Sequence, residues 1–273
     1  MVYPRLKAIH GALRRRNPSL EVYSVSSDTF PNLEYLHEAI EHTWQNRLGA
    51  IPHLLVNTLL TTTLSRLRTL RLRMSNDMDL RAEQVPSLEY VSYYRYSRFL
   101  DDISGTVIAR QFSQLLQIKS LQFLRFHDRI PPIQLNTHLD VECLDLRHLD
   151  LGFIILPLYN VVRLLCRLTY LHTAAFAVYN QWQPNDFTID DDEPISNSVE
   201  RLIMYIIEPT HTSPTDIVPS VEIMTRLPKL HKLYLQPGVE SASAVFNRMK
   251  EIERFSWSAE VAERVEIDIF DNY

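Results

Sequence analysis

Apolar residues recur along the chain in a six-residue pattern: an aliphatic residue, two variable residues, an apolar residue, one variable residue and a further apolar residue. Apolar residues at alternate positions are typical of short strands, so each copy predicts one strand. The Leu168 copy is imperfect because Thr173 takes its last position. The nine copies are LEVYSV from Leu20, LRTLRL from Leu67, LEYVSY from Leu88, LQFLRF from Leu121, VECLDL from Val141, LTYLHT from Leu168, VERLIM from Val199, LHKLYL from Leu230 and IERFSW from Ile252.

Segments with apolar residues at three- and four-residue spacing precede five of these copies, and this spacing predicts helices. They are residues 52–65, 103–117, 157–167, 219–226 and 241–251. From Leu67 to Ile252 the copies begin about 26 residues apart on average, and leucine-rich repeats have periods of about 20–29 residues. The sequence therefore predicts an α/β fold, a leucine-rich-repeat solenoid shaped as a horseshoe with parallel concave strands and convex helices.

Two phrases also resemble a known family. FPNLEYLHEA and LLTTTLSRLRTLRL (59–72), in a chain with 38 leucines, resemble the repeat region of fungal F-box proteins. That resemblance implies a substrate receptor of the ubiquitin-conjugation pathway. An F-box itself is not recognisable in the sequence, so a ubiquitin-ligase adaptor is expected as a partner only if an F-box lies upstream.

The pattern predicts one repeat domain over residues 1–273 with three additions. An amphipathic helix is expected as an insertion near 32–48, and the first segment, PRLKAIHGALRRR, also reads as a helix. Residues 183–198 include Asp190–Glu193 and predict an exposed acidic loop. Residues 259–273 contain the alternating segment VEIDIF and predict a C-terminal cap, because terminal repeats shield the last core layer.

Charge and composition exclude several classes of protein. The net charge is −5, with 28 basic against 33 acidic residues, so nothing favours nucleic-acid binding. The longest apolar run, residues 153–158, is too short to cross a membrane. The two cysteines, Cys143 and Cys166, fit free thiols in a reducing compartment, which predicts an intracellular protein of the cytoplasm or nucleus.

Motifs for chemistry are lacking. The sequence has no P-loop, GxGxxG, HExxH, CxxC or GxSxG segment, so neither a cofactor nor a metal is expected. Asp101–Asp102 is the best carboxylate pair, but acidic residues at a predicted helix start complement the helix dipole. We therefore expect no enzyme; an enzyme whose site has no linear motif is the less favoured alternative.

The strand pattern also predicts a binding surface. If the first, fourth and sixth positions of each copy point inward, the third, fifth and seventh line the concave face. Of these 27 positions, seven are Arg or Lys and one is acidic. Arg and Tyr commonly anchor interfaces, so the face predicts a protein–protein interaction module that captures an acidic or phosphorylated protein segment. Without a ligase link the same face suits a scaffold or an inhibitor. The predicted binding residues are Arg71, Arg73, Tyr90, Tyr94, Arg125, His127, Arg147, Tyr170, Arg201, Tyr205, Lys232 and Tyr234.

Overall fold

The protein is an α/β chain built on an open parallel sheet, as the sequence predicts. A computed structural model describes residues 5, 7–10, 30–37, 63–73, 80–94, 105–127, 133–134, 140–156, 158–179, 194–207, 226–237 and 265–269. The chain forms two compact units, Met1–Leu124 with Asp140–Cys143, and Arg125–Leu139 with Leu144–Tyr273. We call them the N-terminal unit and the C-terminal unit, and the division falls inside one strand.

The N-terminal unit contains short parallel strands. Its strands are β1 (Ala8–His10), β2 (Tyr35–His37), β3 (Thr69–Arg73), β4 (Tyr90–Tyr94) and the first residues of β5 (Phe123–His127). The sheet order is β1-β2-β3-β4-β5. Helix α1 (Gly105–Leu116) precedes β5, and a single 3-10 turn (Ala82–Gln84) precedes β4.

The C-terminal unit has longer strands in the same parallel arrangement. They are β6 (Ile133–Gln134), β7 (His148–Leu156), β8 (Thr173–Tyr179), β9 (Arg201–Ile207), β10 (Lys232–Pro237) and β11 (Glu266–Ile269). Strands β7 to β11 pair in chain order, and β6 pairs with β7. Helix α2 (Leu158–Arg167) lies between β7 and β8 in the chain.

A tight turn introduces most of the strands. In each turn the N–H of one apolar residue donates to the carbonyl of the apolar residue three positions earlier. The third successor of the donor, and in most repeats of this arrangement the fifth, is a buried strand residue. Proline at the second position of three turns (Pro31, Pro86, Pro228) is favoured because its ring presets the backbone angle. The donor–acceptor pairs, at 3.0 to 3.3 Å, are Leu33–Phe30, Leu67–Leu64, Leu88–Val85, Leu121–Ile118, Leu171–Leu168 and Leu230–Leu227.

The residues directly before nine of the strands form a stacked row, which we call the lead-in row. Its carbonyl accepts hydrogen bonds from the next lead-in residue and from the first residue of the next strand, as Lys7 does from Glu34 (2.8 Å) and Tyr35 (3.0 Å). The row stacks neighbouring turns directly on one another. Its members are Lys7, Glu34, Arg68, Glu89 and Gln122 in the N-terminal unit, and Arg147, His172, Glu200 and His231 in the C-terminal unit.

Alternating side chains place the core on one face of each strand. In β3, Leu70 and Leu72 are fully buried, whereas Arg71 between them is only half-buried. The apolar stripe of α1, which includes Phe112 and Leu115, is also buried. Both predicted helices in the described residues, 103–117 and 157–167, are confirmed as α1 and α2, because their three- and four-residue spacing gives each a continuous apolar stripe.

Two predicted strands have the wrong register. The Val141 copy predicts a strand with Cys143 in third position, but β7 begins at His148, and the Leu168 copy puts Tyr170 where β8 begins only at Thr173. Both segments carry an additional apolar residue that belongs to the turn before the strand. The six-residue pattern therefore matches a segment that precedes the strand. Leu144, which the pattern places in the core, is instead 53% exposed.

Two predicted helices are wrong where the structure describes them. Tyr35–His37, inside the predicted insertion near 32–48, forms strand β2, and Ala8–His10, inside PRLKAIHGALRRR, forms strand β1. Leu33 and Leu36 are buried as turn and strand residues. The spacing of three that indicates a helix is also the spacing of this turn and strand, and pairing with β3 selects the strand.

Part of the sheet is buried on both faces. In β8, the side chains of Ala174, Ala175, Phe176 and Ala177 are all buried, although neighbouring residues point to opposite faces. Continuous apolar runs such as TAAFAVY are typical of parallel strands covered on both sides. The opposite face of this strand therefore does not form the open polar surface that strict alternation predicts.

The remaining predictions lie largely outside the described residues. These include the Leu20 and Ile252 copies, the helix over 241–251, nearly all of the helices over 52–65 and 219–226, and residues 183–193 of the acidic loop. Residues 195–198 at the end of that loop are described and form a bend in which Ser196 and Ser198 are buried and hydrogen-bonded. VEIDIF is confirmed as a strand over Glu266–Ile269, while its role as a cap stays a prediction, as does the single domain over 1–273.

Candidate functional site

The predicted binding residues fall into three groups in the structure. Arg71 and Tyr90 lie on β3 and β4 of the N-terminal unit. In the C-terminal unit, Arg125 lies on β5, Arg201 on β9, and Lys232 and Tyr234 on β10. Arg147 is the residue directly before β7, and Tyr170 lies in the turn before β8. The backbones of Arg73, Tyr94, His127 and Tyr205 lie on β3, β4, β5 and β9, but their side chains are outside the described part of the structure.

An aromatic row crosses the first positions of the strands in the N-terminal unit. Tyr35, Thr69 and Tyr90 are aligned by register across β2, β3 and β4. The ring of Phe123 stacks on that of Tyr90 with centroids 4.2 Å apart and planes 10° from parallel. Tyr35 is 41% exposed. The sequence prediction missed Tyr35 because it assigned this residue to a helix.

Two polar residues lie beside this row at the third strand positions. Arg71 and Ser92 are register partners on β3 and β4. The Nε atom of Arg71 and the hydroxyl of Ser92 are both buried, and neither has a hydrogen-bond partner among the described residues. Ser92 was among the predicted face positions but not among the predicted binding residues.

In the C-terminal unit one predicted cation is already neutralised. The Nε atom of Arg125 lies 3.0 Å from a carboxylate oxygen of Asp150, so the two form an ion pair. The carboxylate of Asp150 also accepts a hydrogen bond from the backbone N–H of Gly152 at 3.0 Å. The sequence pattern predicts that β7 begins at Cys143, five residues before its observed start at His148. The predicted face therefore includes Arg125 but not its partner Asp150.

Lys232 is likewise paired. Its ammonium lies 3.4 Å from a carboxylate oxygen of Glu266, its register neighbour on β11. The hydrogen bond to Glu266 and the negative charge of that residue raise the pKa of Lys232 above its usual value. This pairing leaves Lys232 less available to an external anion than the sequence prediction assumed.

Among the predicted binding residues of the C-terminal unit, two exposed arginines have no ion pair with the described residues. They are Arg147, in the lead-in row, and Arg201, the first residue of β9. Both lie close enough to His148, the first residue of β7, to affect its ionisation. Burial lowers the pKa of His148, and the charges of His172, Arg147 and Arg201 lower it further.

One carboxylate lies within this group. Glu200, in the lead-in row, lies 3.6 Å from Nδ1 of His172. We call Arg147, His148, His172 and Arg201 the basic cluster. Arg147 belongs to it through the lead-in row and not, as predicted, through a strand position. Tyr170 lies in the turn before β8, where the residue is 58% exposed.

The described residues offer little for covalent or metal chemistry. They contain no group of three or more His, Cys, Asp and Glu residues arranged to hold a metal ion. Cys143 and Cys166 are free thiols, the former buried and the latter exposed. None of the helices in the described ranges combines the length and apolar character needed to span a bilayer.

Comparison with known proteins adds no relative. No protein-family model matches this sequence, and neither the search of curated proteins nor that of solved structures gave a match. The functional argument therefore rests on the residues described above.

Proposed function

We propose that the chain is a protein–protein interaction module that captures an acidic or phosphorylated protein segment. The observation that carries the proposal is the exposed pair Arg147 and Arg201, which have no ion pair among the described residues while Arg125 and Lys232 do. An unpaired guanidinium at the surface can bind a carboxylate or a phosphate through two parallel hydrogen bonds.

The surroundings of these arginines favour an anion. Burial is the main cause of the lowered pKa of His148, and the nearby charges of His172, Arg147 and Arg201 lower it further, so these residues add positive potential at this position. The exposed ring of Tyr170 lies in the turn before His172 and supplies apolar contact area. Arg together with Tyr is the combination most common among residues that anchor interfaces.

The architecture we propose for this module is a leucine-rich-repeat solenoid of the substrate-receptor type in the ubiquitin pathway. The recurring turn, the lead-in row and the parallel strands support a repeat origin. The ligase link is supported by the resemblance to fungal F-box repeat regions alone. A scaffold or an inhibitor with the same surface is the alternative.

The first experiment measures binding of two labelled peptides, one rich in glutamate and one singly phosphorylated, by fluorescence anisotropy. Arg147→Glu combined with Arg201→Glu should weaken binding of the preferred peptide about tenfold or more, because attraction becomes repulsion. Lys229→Glu combined with Arg167→Glu makes the same change in net charge at other exposed positions of the C-terminal unit and is the control. Equal binding by the two double variants would refute the role of Arg147 and Arg201.

A second experiment distinguishes a substrate receptor of the ubiquitin pathway from a scaffold or an inhibitor. The intact chain is used as bait in extract of its own cells, and captured proteins are identified by mass spectrometry. Recovery of a ubiquitin-ligase adaptor and a cullin supports a substrate receptor. Recovery of one dominant partner without them, lost in the Arg147→Glu, Arg201→Glu variant, supports a scaffold or an inhibitor.

A further inference from the structure

Arg71 and Ser92 form a pair of donors that the described residues leave unsatisfied. The two residues are register partners on β3 and β4. Each lies between fully buried apolar residues of its own strand, Leu70 and Leu72 for Arg71, so both side chains point to the opposite face from the core. Ser92 is only 1% exposed, yet neither its hydroxyl nor the Nε–H of Arg71 has a hydrogen-bond partner among the described residues.

Such a pair is unusual in a folded protein. More than nine in ten buried polar groups find a partner, because burying a donor without an acceptor costs free energy. Arg carries a permanent positive charge and has donors only, while Ser can donate one hydrogen bond. Two adjacent unsatisfied donors, one of them charged, call for an acceptor that brings negative charge.

The neighbouring positions of the same face supply no such acceptor. The described first and third strand positions of β2, β3 and β4 are Tyr35, His37, Thr69, Arg71, Tyr90 and Ser92, and none of them is a carboxylate. The Nε atom of Arg125, at the third position of its strand in the C-terminal unit, also lacks a well-aligned hydrogen bond, but it is ion-paired with Asp150 at 3.0 Å. Glu34 and Glu89 of the lead-in row are occupied by Lys7 and Arg68.

We propose that Arg71 and Ser92 form a binding site for a single oxyanion, a phosphoryl or a carboxylate group, on the N-terminal unit. The oxyanion accepts from Nε–H of Arg71 and from the hydroxyl of Ser92. Arg71 is half-buried, so its side chain reaches solvent. Because the Ser92 hydroxyl is buried, binding in this proposal requires the guanidinium of Arg71 to rotate and admit the ligand. The stacked rings of Tyr90 and Phe123 form an apolar wall beside the site. The site does not depend on the proposed function, which rests on Arg147 and Arg201 of the other unit.

The test titrates the intact chain with inorganic phosphate and, separately, with acetate, in chloride buffer of matched ionic strength. Binding is followed by the NMR signal of the Arg71 Nε–H group, assigned by its loss in Arg71→Lys. We expect one of the two anions to shift this signal saturably and to raise the unfolding temperature of the chain. Phosphate as the stronger ligand would identify a phosphoryl group as the natural ligand, and acetate a carboxylate.

Substitutions at Ser92 and Arg71 test whether these two side chains bind the anion. For the variants, binding is measured by the rise in unfolding temperature with anion concentration, because Arg71→Lys lacks the Nε–H signal. Ser92→Ala and Arg71→Lys should each weaken the binding of the preferred anion about tenfold, whereas the control Arg68→Lys, at the ion-paired lead-in position, should leave it unchanged. Without anion, Ser92→Ala should unfold at the same temperature as the parent chain or higher, because it removes an unsatisfied hydroxyl. Absence of a saturable shift, or equal binding by all variants, would overturn the proposal. A clear loss of stability in Ser92→Ala without anion would also overturn it, because the hydroxyl would then be hydrogen-bonded to the protein or to ordered water.

Discussion

The backbone carbonyl oxygen of Phe126 lies 2.7 Å from the position that a Cβ atom on Gly152 would occupy. Gly152 has φ of +52°, a conformation that L side chains rarely adopt. It lies where the register between β7 and β8 shifts, between Asp150 and Ile155. The bend at this glycine lets its N–H reach the carboxylate of Asp150, which also holds Arg125.

Gly152→Ala should therefore destabilise the protein. The positive φ and the close approach to the Phe126 carbonyl both oppose a methyl group, and we expect a loss of about 1–3 kcal/mol in the free energy of unfolding. Urea denaturation followed by circular dichroism measures this loss. Gly105→Ala, at the start of α1, is the control and should be neutral or slightly stabilising, since alanine favours helix. Equal stability of the two variants would contradict the steric argument.

Charge in the lead-in row should contribute to the stability of the N-terminal unit. Glu34 lies between Lys7 and Arg68 in this row and is ion-paired with Lys7 at 3.0 Å. Glu34→Lys should reduce the free energy of unfolding by about 1 kcal/mol, because an exposed ion pair contributes up to about that amount. Urea denaturation at low salt detects the change, and 1 M NaCl should reduce it by screening.

The charge-matched control for this prediction is Glu83→Lys. Glu83 is exposed in the 3-10 turn and has no ion pair among the described residues. We expect a change well below that of Glu34→Lys. A loss at Glu34 that persists undiminished in 1 M NaCl would indicate that packing, and not charge, is responsible.

The stability of the protein should fall on mild acidification because of His148. Burial lowers its pKa below 6.5 in the folded chain, and His172, Arg147 and Arg201 lower it further. As the pH falls through about 6.5, the unfolded chain therefore binds the proton first and becomes the favoured state. His148→Gln should reduce the dependence of the free energy of unfolding on pH between about pH 7 and pH 5, as measured by urea denaturation at several pH values.

NMR titration of the His148 ring tests the cause directly. Arg201→Gln removes one of the positive charges and should raise the pKa of His148 toward 6.5. An unchanged pKa in this variant would show that Arg201 lies too far from His148 to form the basic cluster.

The two thiols should differ sharply in reactivity. Burial raises the pKa of Cys143 to about 12, and Cys143 has no exposed surface, so it forms almost no thiolate. Burial also raises the pKa of Cys166, which Arg226 partly offsets, but this residue is exposed on α2. Ellman's reagent should therefore label Cys166 in the folded chain and Cys143 only after unfolding. Rapid labelling of native Cys166→Ser would contradict this assignment.

The sequence predicts those elements whose local pattern matches only one structure. Helices α1 and α2 have continuous apolar stripes, and the copies from Leu67, Leu88, Leu121, Val199 and Leu230 each contain a confirmed strand. The β8 register could not be read from the same rule, because the small Ala174 occupies its first inward position and the preceding Leu168–Leu171 turn matches the pattern better. A longer pattern, with an apolar turn residue three positions before the first apolar residue, matches β3, β4, β5, β8 and β10.

The candidate site was predictable only in its residue types. Arg147 and Arg201 were selected for their charge, and both are exposed in the structure. The neutralisation of Arg125 by Asp150 depends on the bend at Gly152, and such a bend leaves no periodic trace in the sequence. The unsatisfied hydroxyl of Ser92 was also out of reach, since a serine in an alternating strand is ordinarily solvated.

The alternation of charge in the lead-in row restricts how the N-terminal unit can change length. Its order is Lys7, Glu34, Arg68 and Glu89, so each charge is stacked against one of opposite sign. Loss of the single strand and turn that carry Glu34 would bring Lys7 and Arg68 together, and like charges at this spacing repel. Loss or duplication of two successive strands with their turns keeps the alternation intact. Gene duplications and deletions in this region are therefore expected to be tolerated in steps of two such strand-and-turn units.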